Sequence, residues 1–377
     1  MTVFVQALRR AFGRDRAVRS WALASLVANI AIVLTGATVR LTGSGLGCPT
    51  WPQCTEGSYL PHGELGIHGA IEFGNRLMTF VLSAVAILTA VAAFSLRDAH
   101  RPKGDLKRLG VLLAIGVPVM AVGLMIMVAS GHHPVAVLGL TAVFIALLVV
   151  SILITRTPGS LDPVSRRHEL VRRVALVLAL GIPAQAVFGG ITVMTQLNPW
   201  IVAGHLLVSF ALIALSMWLV HSVDPTPRPT VGRTGWLLSR FVAGGLVIVL
   251  WLGTVVTGSG PHSGDETARR TGLDPELMSH IHAIAVYVTV GLTVLALVVL
   301  RSRAALLLLI LEVAQGVVGL IQYWTGLPIA VVLVHMLGSA TLVAAGTHLV
   351  WTTGRERPST ETSGGKPVEL ATTSYVG

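Results

Sequence analysis

Charge is scarce in this chain. Only 12% of the 377 residues are Asp, Glu, Lys or Arg, while 53% are hydrophobic and the mean hydropathy is +0.77. That excludes a soluble globule and points to a polytopic membrane protein. Basic patches interleaved with aromatics are also missing, so the net charge of +10 is not the mark of a nucleic-acid binder. Cysteine is nearly absent. Cys48 and Cys54 are the whole complement, close together in one polar loop. Such a pair outside the membrane reads as a disulfide, the alternative being two free thiols or a metal pair lacking partners. No small-residue cleavage site follows the basic N-terminal stretch, so its apolar run reads as a first transmembrane helix and not a removed signal. Glycine, by contrast, is plentiful: forty residues, which suits close helix–helix contact in lipid.

Apolar spans of about 20 residues or more fall near 21–41, 68–96, 109–130, 134–155, 171–194, 200–221, 236–257, 278–300, 304–324 and 329–352. The fold class expected is therefore an all-α membrane bundle of about ten helices. Arginine and lysine concentrate in the N-terminal segment, in alternate loops and in the C-terminal tail. The other side holds only Arg40, Arg76, Arg269 and Arg270. The positive-inside rule then puts both termini in the cytoplasm and the long segments 42–67 and 258–277 outside. The C-terminal tail, rich in Pro, Ser, Thr and Gly, reads as disordered.

The chain repeats itself. Gln185 precedes His205 and Gln315 precedes His335 by the same interval, and Val187/Val317, Gly189/Gly319, Ile191/Ile321, Thr195/Thr325, Leu197/Leu327 and Val202/Val332 match at the same offset. Both long outer segments open with Thr-Gly-Ser-Gly, at Thr42 and at Thr257. These features divide the chain into a segment 1–20, an N-terminal half 21–235, a C-terminal half 236–353 and a tail 354–377. The halves are homologous four-helix units. A third, degenerate copy at 109–155 has Met120 and Leu140 where the others have Gln and His, and reads as an extra helix pair without a site.

A histidine in a lipid core is costly and is usually there for function. His205, His282 and His335 lie at similar depth, roughly 8–11 Å from the outer helix ends at 1.5 Å per residue. Imidazoles on facing helices at matched depth suit haem iron, and His282 with His335 would clamp one within the second half. In the first half, His68, Glu72 and Asn75 or Arg76 share one helix face. Glu72 reads as a base, proton acceptor or electrostatic stabiliser, or else as an ion pair with Arg76. Arg40 and Arg76 flank this region and suit haem propionates. Glu312 is a second intramembrane carboxylate, suited to a proton path or to a hydrogen bond between helices. His62, His132, His133 and His262 read as solvated loop residues.

The run Gly36-Ala-Thr-Val-Arg40-Leu-Thr-Gly-Ser-Gly45-Leu-Gly-Cys48-Pro-Thr-Trp-Pro-Gln-Cys54, then Ile71-Glu72-Phe-Gly-Asn75-Arg76, and the two Gln/His modules together resemble the heme A synthase family. The resemblance covers most of the chain except 97–170 and the tail. It implies two four-helix halves and oxidation of the C8 methyl of heme O to a formyl group. It implies a heme B cofactor held by His282 and His335, heme O as substrate in the N-terminal half beside Glu72, and a Cys48–Cys54 disulfide. The substrate site would then comprise His205, Asn75, Arg76 and Arg40. Two departures stand out. Asn75 replaces a histidine expected three residues after the glutamate, and 109–155 adds a helix pair.

The implied setting is a multi-pass protein of the cell membrane with haem sites in its outer half. Its partners would be membrane lipid, heme O synthase and a quinone or other electron acceptor, and a homo-oligomer is compatible with the sequence. Two other readings compete. A bis-histidine b-type electron-transfer protein would pass electrons to or from quinone. A secondary transporter built from repeats would bind no pigment, and clustering of the polar groups in the outer half disfavours it.

Overall fold

The computed structural model describes residues 14–129 except 102 and 104, residues 162–355 except 225, 227 and 228, and isolated positions between 130 and 161. Its helices are α1 (Asp15–Leu41), α2 (Gly66–Ser95, led in by a 3-10 turn at Gly63–Leu65), α3 (Leu106–Ala129), α4 (Pro163–Met194), α5 (Pro199–Val223), α6 (Arg233–Ser259), α7 (Pro275–Leu300), α8 (Arg303–Trp324) and α9 (Ile329–Thr352). Eight of them, α1, α2 and α4–α9, are long and apolar enough to cross a membrane, so the protein is a multi-pass, all-α membrane protein. The only sheet among the described residues pairs β1 (Thr230–Val231) with β2 (Gly354–Arg355) in parallel. Of the ten expected spans, 109–130 is α3 and 134–155 lies outside the described residues, as do Leu140, His132 and His133. The tail from 356 onward also lies outside them.

Local chemistry explains the starts. Pro163, Pro199 and Pro275 open α4, α5 and α7, each behind a side-chain cap. Asp162 accepts from the Val164 and Ser165 N–H groups, Asn198 from Trp200 and Asp274 from Leu277. The turns after α4 and α8 share an unusual leucine. Leu197 and Leu327 both have positive φ (55° and 62°), and their N–H groups donate to Thr192 and Gln322 carbonyls at 2.8 Å. That conformation disfavours an L side chain, so its recurrence at equivalent places marks a duplicated hairpin.

The helices pack as two four-membered rings, α1–α2–α4–α5 and α6–α7–α8–α9. α3 packs on α2, and the Asp105 N–H donates to the Phe94 carbonyl at 2.7 Å. The rings meet along α5/α9, α1/α9 and α5/α6, around Val33, Phe210, Ile213, Ala340 and Ala344. Within each ring, one pair of helices is joined by the long disulfide-end segments and the next by the leucine turns.

Burial shows the register of the repeat. On α1, Val18, Ala22, Ser25, Asn29, Ala37 and Leu41 are buried. On α6, Gly235, Ser239, Val242, Leu246, Thr254 and Gly258 are buried at a constant offset (235 − 18 = 217). Leu82, Ala86 and Thr89 of α2 match Thr289, Thr293 and Ala296 of α7 (289 − 82 = 207). Val174, Ala175, Leu178 and Ile182 of α4 match Ala304, Ala305, Leu308 and Glu312 of α8 (304 − 174 = 130). The repeated Thr-Gly-Ser-Gly runs are out of this register by two residues. α1 ends at Leu41 and turns at Gly43 (φ +66°), whereas Thr257, Gly258 and Ser259 are still helical. They are thus not one turn used twice, because Gly258 is packed within its helix against Thr271 and Pro199.

Candidate functional site

Three histidines face into the rings near the disulfide end, each the seventh or eighth residue of its helix. All are half-buried, and each buries an Nδ1 that has no hydrogen-bond partner of good geometry among the described residues. Each ring also rests on a glycine of the preceding helix. A Cβ on Gly189 would lie 3.3 Å from His205 Cε1, one on Gly319 would lie 3.5 Å from His335 Cε1, and one on Gly253 would lie 3.3 Å from His282 Cε1. A larger residue would push the imidazole out of place.

Behind two of the rings stands a repeated clamp. Gln185 Nε2 donates to the His205 carbonyl at 2.8 Å and to Ser209 Oγ at 2.6 Å. Gln315 Nε2 donates to the His335 carbonyl at 2.8 Å and to Ser339 Oγ at 3.3 Å. Each serine donates back to the same histidine carbonyl, at 3.0 and 2.9 Å. The glutamines are therefore not ligand candidates. They fix helix to helix at the level of the histidine. The serines were missed in the sequence, although Ser209 and Ser339 recur at the common offset.

His282 on α7 and His335 on α9 sit on diagonal helices of one ring. The His282 ring also faces the Val249 backbone, one turn before its glycine. In the other ring, His205 on α5 is diagonal to α2, which carries Glu72 and Asn75. Phe188 meets the His205 ring edge-on at 5.6 Å between centroids.

The structure changes the roles open to the first-half charges. Glu72 is buried and fully engaged. Its Oε1 accepts from Arg76 Nη2 at 2.6 Å, and its Oε2 accepts from the Cys48 N–H at 2.5 Å. Of the expectations for Glu72, a base, proton acceptor or electrostatic stabiliser, or else an ion pair with Arg76, the ion-pair contact is present. Arg76 is likewise committed, donating also to the Cys48, Thr50 and Gln53 carbonyls at 3.0–3.1 Å. Cys48 and Cys54 are disulfide-bonded, with Cα atoms 4.4 Å apart. The pair Glu72–Arg76 thus anchors the disulfide loop over the first ring, and Trp51 of that loop packs flat on Gly190, beside the His205 cradle.

Arg40 has its partners in the other half. Its Nε donates to the His262 carbonyl and its Nη2 to the Thr257 carbonyl, both at 2.9 Å, so it ties α1 to the second half. The Gly45 N–H donates to the Gly264 carbonyl at 2.8 Å alongside it. His262, expected to be solvated, is half-buried with its Nε2 3.1 Å from the Leu327 carbonyl. His68 Nδ1 lies 2.9 Å from Ser44 Oγ at the loop end of α2. Asn75 Oδ1 accepts from Thr35 Oγ1 at 2.7 Å.

Comparison with known proteins finds relatives over part of the chain. Residues 19–155 match the family of cytochrome oxidase assembly proteins, COX15-CtaA. The chain is 42% identical over 77 residues to a heme A synthase of Lysinibacillus sphaericus, covering 20% of this chain and 24% of the relative. It is 37% identical over 68 residues to a heme A synthase of Geobacillus thermodenitrificans, covering 18% and 20%. It is also 37% identical over 91 residues to a protoheme IX farnesyltransferase of Thermus thermophilus, covering 24% and 14%. The chain thus spans a quarter or less of the length of each curated relative it matches. The family match and the two heme A synthases thus make part of this chain similar to the heme A synthase family.

Proposed function

We propose that the protein oxidises the C8 methyl of heme O to the formyl group of heme A, with a heme B cofactor in the second half and the substrate haem in the first. One observation carries this reading. Three imidazoles at equal depth have glycine-cradled rings and buried Nδ1 atoms, two of them in identical Gln-Ser clamps. That donor set fits haem iron. Neutral imidazole is a haem ligand, and its orientation is set by what lies behind it. His282 and His335, diagonal in one ring, would hold heme B from both sides.

A bound haem supplies the electron transfer that no side chain of this protein can perform. The protein's share is positional. The Gln315–Ser339 clamp holds the helix carrying His335, and Gln185–Ser209 does the same for His205. The Glu72–Arg76 pair, with Trp51 on Gly190, holds the disulfide loop across the mouth of the first ring and keeps water from it. Glu72 acts in this reading as a positioning residue for that loop. The histidine end is the outer side of the cell membrane, because the arginine-rich segments lie at the other end.

The test is pigment analysis. Cells making heme O but no heme A should accumulate heme A when this protein is expressed, and the purified chain should carry heme B by pyridine haemochrome. Heme B without any heme A formation would favour the b-type electron-transfer reading, which the His282/His335 pair alone would also serve. A chain without a Soret band would rule out both.

A further inference from the structure

The repeat contains four equivalent positions for an imidazole over a glycine, and only three are filled. The burial register pairs Asn75 with His282 and Gly36 with Gly253 (282 − 75 = 207, 253 − 36 = 217). Gly253 carries the His282 ring, while a Cβ on Gly36 would meet nothing within 4 Å. The short Asn75 side chain does not reach over that glycine. Its Oδ1 instead takes the Thr35 hydroxyl at 2.7 Å. The backbone carbonyl equivalent to Val249, which faces His282, is Ile32, and it already accepts from Thr35 Oγ1 at 3.1 Å. The glycine has been kept, the ring has been lost and the carbonyl behind it has been capped.

No nearby histidine among the described residues replaces it. His68 lies seven residues earlier on α2, roughly 10.5 Å along the axis, and its ring is held against Ser44. We infer that the first-half site holds porphyrin iron through His205 alone, and that the iron face toward Gly36 and Asn75 is open to a small exogenous ligand. This rests on the haem reading above and deepens it. An iron with two protein ligands passes electrons, whereas one with an open position can bind a small molecule, and the polar groups beside that position select it. With Oδ1 tied to Thr35, the Asn75 Nδ2 hydrogens remain available to a bound ligand. The two halves would then divide the work by coordination number.

The test is spectroscopic and needs no turnover. The full-length chain, loaded with haem, should show one low-spin and one high-spin iron by electron paramagnetic resonance and should bind one cyanide per chain. Asn75→His should place an imidazole over Gly36, convert the high-spin signal to low-spin and weaken cyanide binding at least tenfold. Asn75→His combined with Gly36→Leu should restore the high-spin signal, because the cradle is then blocked. Two low-spin centres in the unaltered chain, from His68 or from Met78 one turn further along α2, would overturn the inference. A His282→Ala/His335→Ala chain titrated with iron protoporphyrin separates the two claims. One equivalent bound high-spin supports the inference. One equivalent bound low-spin overturns it and leaves the haem reading standing. No uptake overturns the haem reading for this half and the inference with it.

Discussion

The two rings share a register and differ in where they place polarity. In the first, Ser25 and Asn29 on α1 meet Ser216 on α5 midway along the bundle, with Asn29 Nδ2 donating to the Ser25 carbonyl at 2.8 Å and to Ser216 Oγ at 3.3 Å. The second ring has Val242, Leu246 and Gly346 there, and Leu246 packs onto Gly346. In the second ring, Thr289 and Thr293 on α7 line up with Glu312 on α8, whose Oε1 accepts from Thr293 Oγ1 at 3.0 Å. The first ring has Leu82, Ala86 and Ile182 in those places. At the disulfide end, Glu72 and Arg76 correspond to Ser279 and Ala283. Small and apolar seam residues therefore keep the scaffold, and each ring carries its own polar layer. A buried polar group is tolerated only where its partner arrives at the same level, so these layers change as sets and not residue by residue.

The sharpest break in the comparison would come at the histidines. His335→Ala should cost the second ring its haem outright, lowering haemochrome content by one per chain. Retention of heme B there would mean that the clamp pairs other residues. Next comes the carboxylate that only the first ring has. Glu72→Ala should keep the second-ring haem, abolish turnover and cost about 3 kcal/mol, because it strands the Arg76 cation. Ser279→Ala at the matching place should stay within about 0.5 kcal/mol. Equal losses in thermal unfolding would show that the loop anchor is no special property of the first ring.

The loop end opposite the histidines gives a pH test confined to the first ring. Asp98 lies between α2 and α3, with its side chain 1% exposed and 2.8 Å from Arg172 Nη2. Burial pushes its carboxyl up, but the hydrogen bond and charge of Arg172 outweigh that and hold it below its ordinary value. Its stabilisation is therefore complete above the unfolded carboxylate range and is lost as pH falls through the lower folded value. The melting temperature of the native chain should fall more steeply below about pH 4 than that of Asp98→Asn, and parallel curves would remove Asp98 from the account. The smallest effect belongs to Glu312. Its second oxygen has no hydrogen-bond partner, and no ion pair to it occurs, among the described residues. Glu312→Gln keeps the Thr293 bond and should change stability by less than about 0.5 kcal/mol. A loss above about 1 kcal/mol would show that both rings rely on a buried ion.

Much of this was legible before the structure. The eight spans outside 97–170 begin and end within about eight residues of the apolar runs, because lipid demands continuous hydrophobicity, and the Gln/His modules were visible as matched letters. What was hidden depended on partners from elsewhere in the chain. Gln185 and Gln315 were visible only as markers of the repeat until their carbonyl acceptors were seen. The Thr-Gly-Ser-Gly runs matched as letters yet fall two residues apart in helical register. Glu72 is committed by the backbone of Cys48, and Arg40 by carbonyls of the distant segment 257–262, neither of which leaves a periodic signal.

Arg40 also bears on how the protein is made. Its guanidinium sits at the end of the first helix to emerge, yet both carbonyls it bonds belong to 257–262. During synthesis that cation must wait near the membrane surface, hydrated, until α6 has been threaded. The arrival of the second half is thus what supplies the acceptors of Arg40. A nascent chain halted after α5 would hold a folded disulfide loop but lack those acceptors, so the first ring is finished only by a part of the chain that it does not contain.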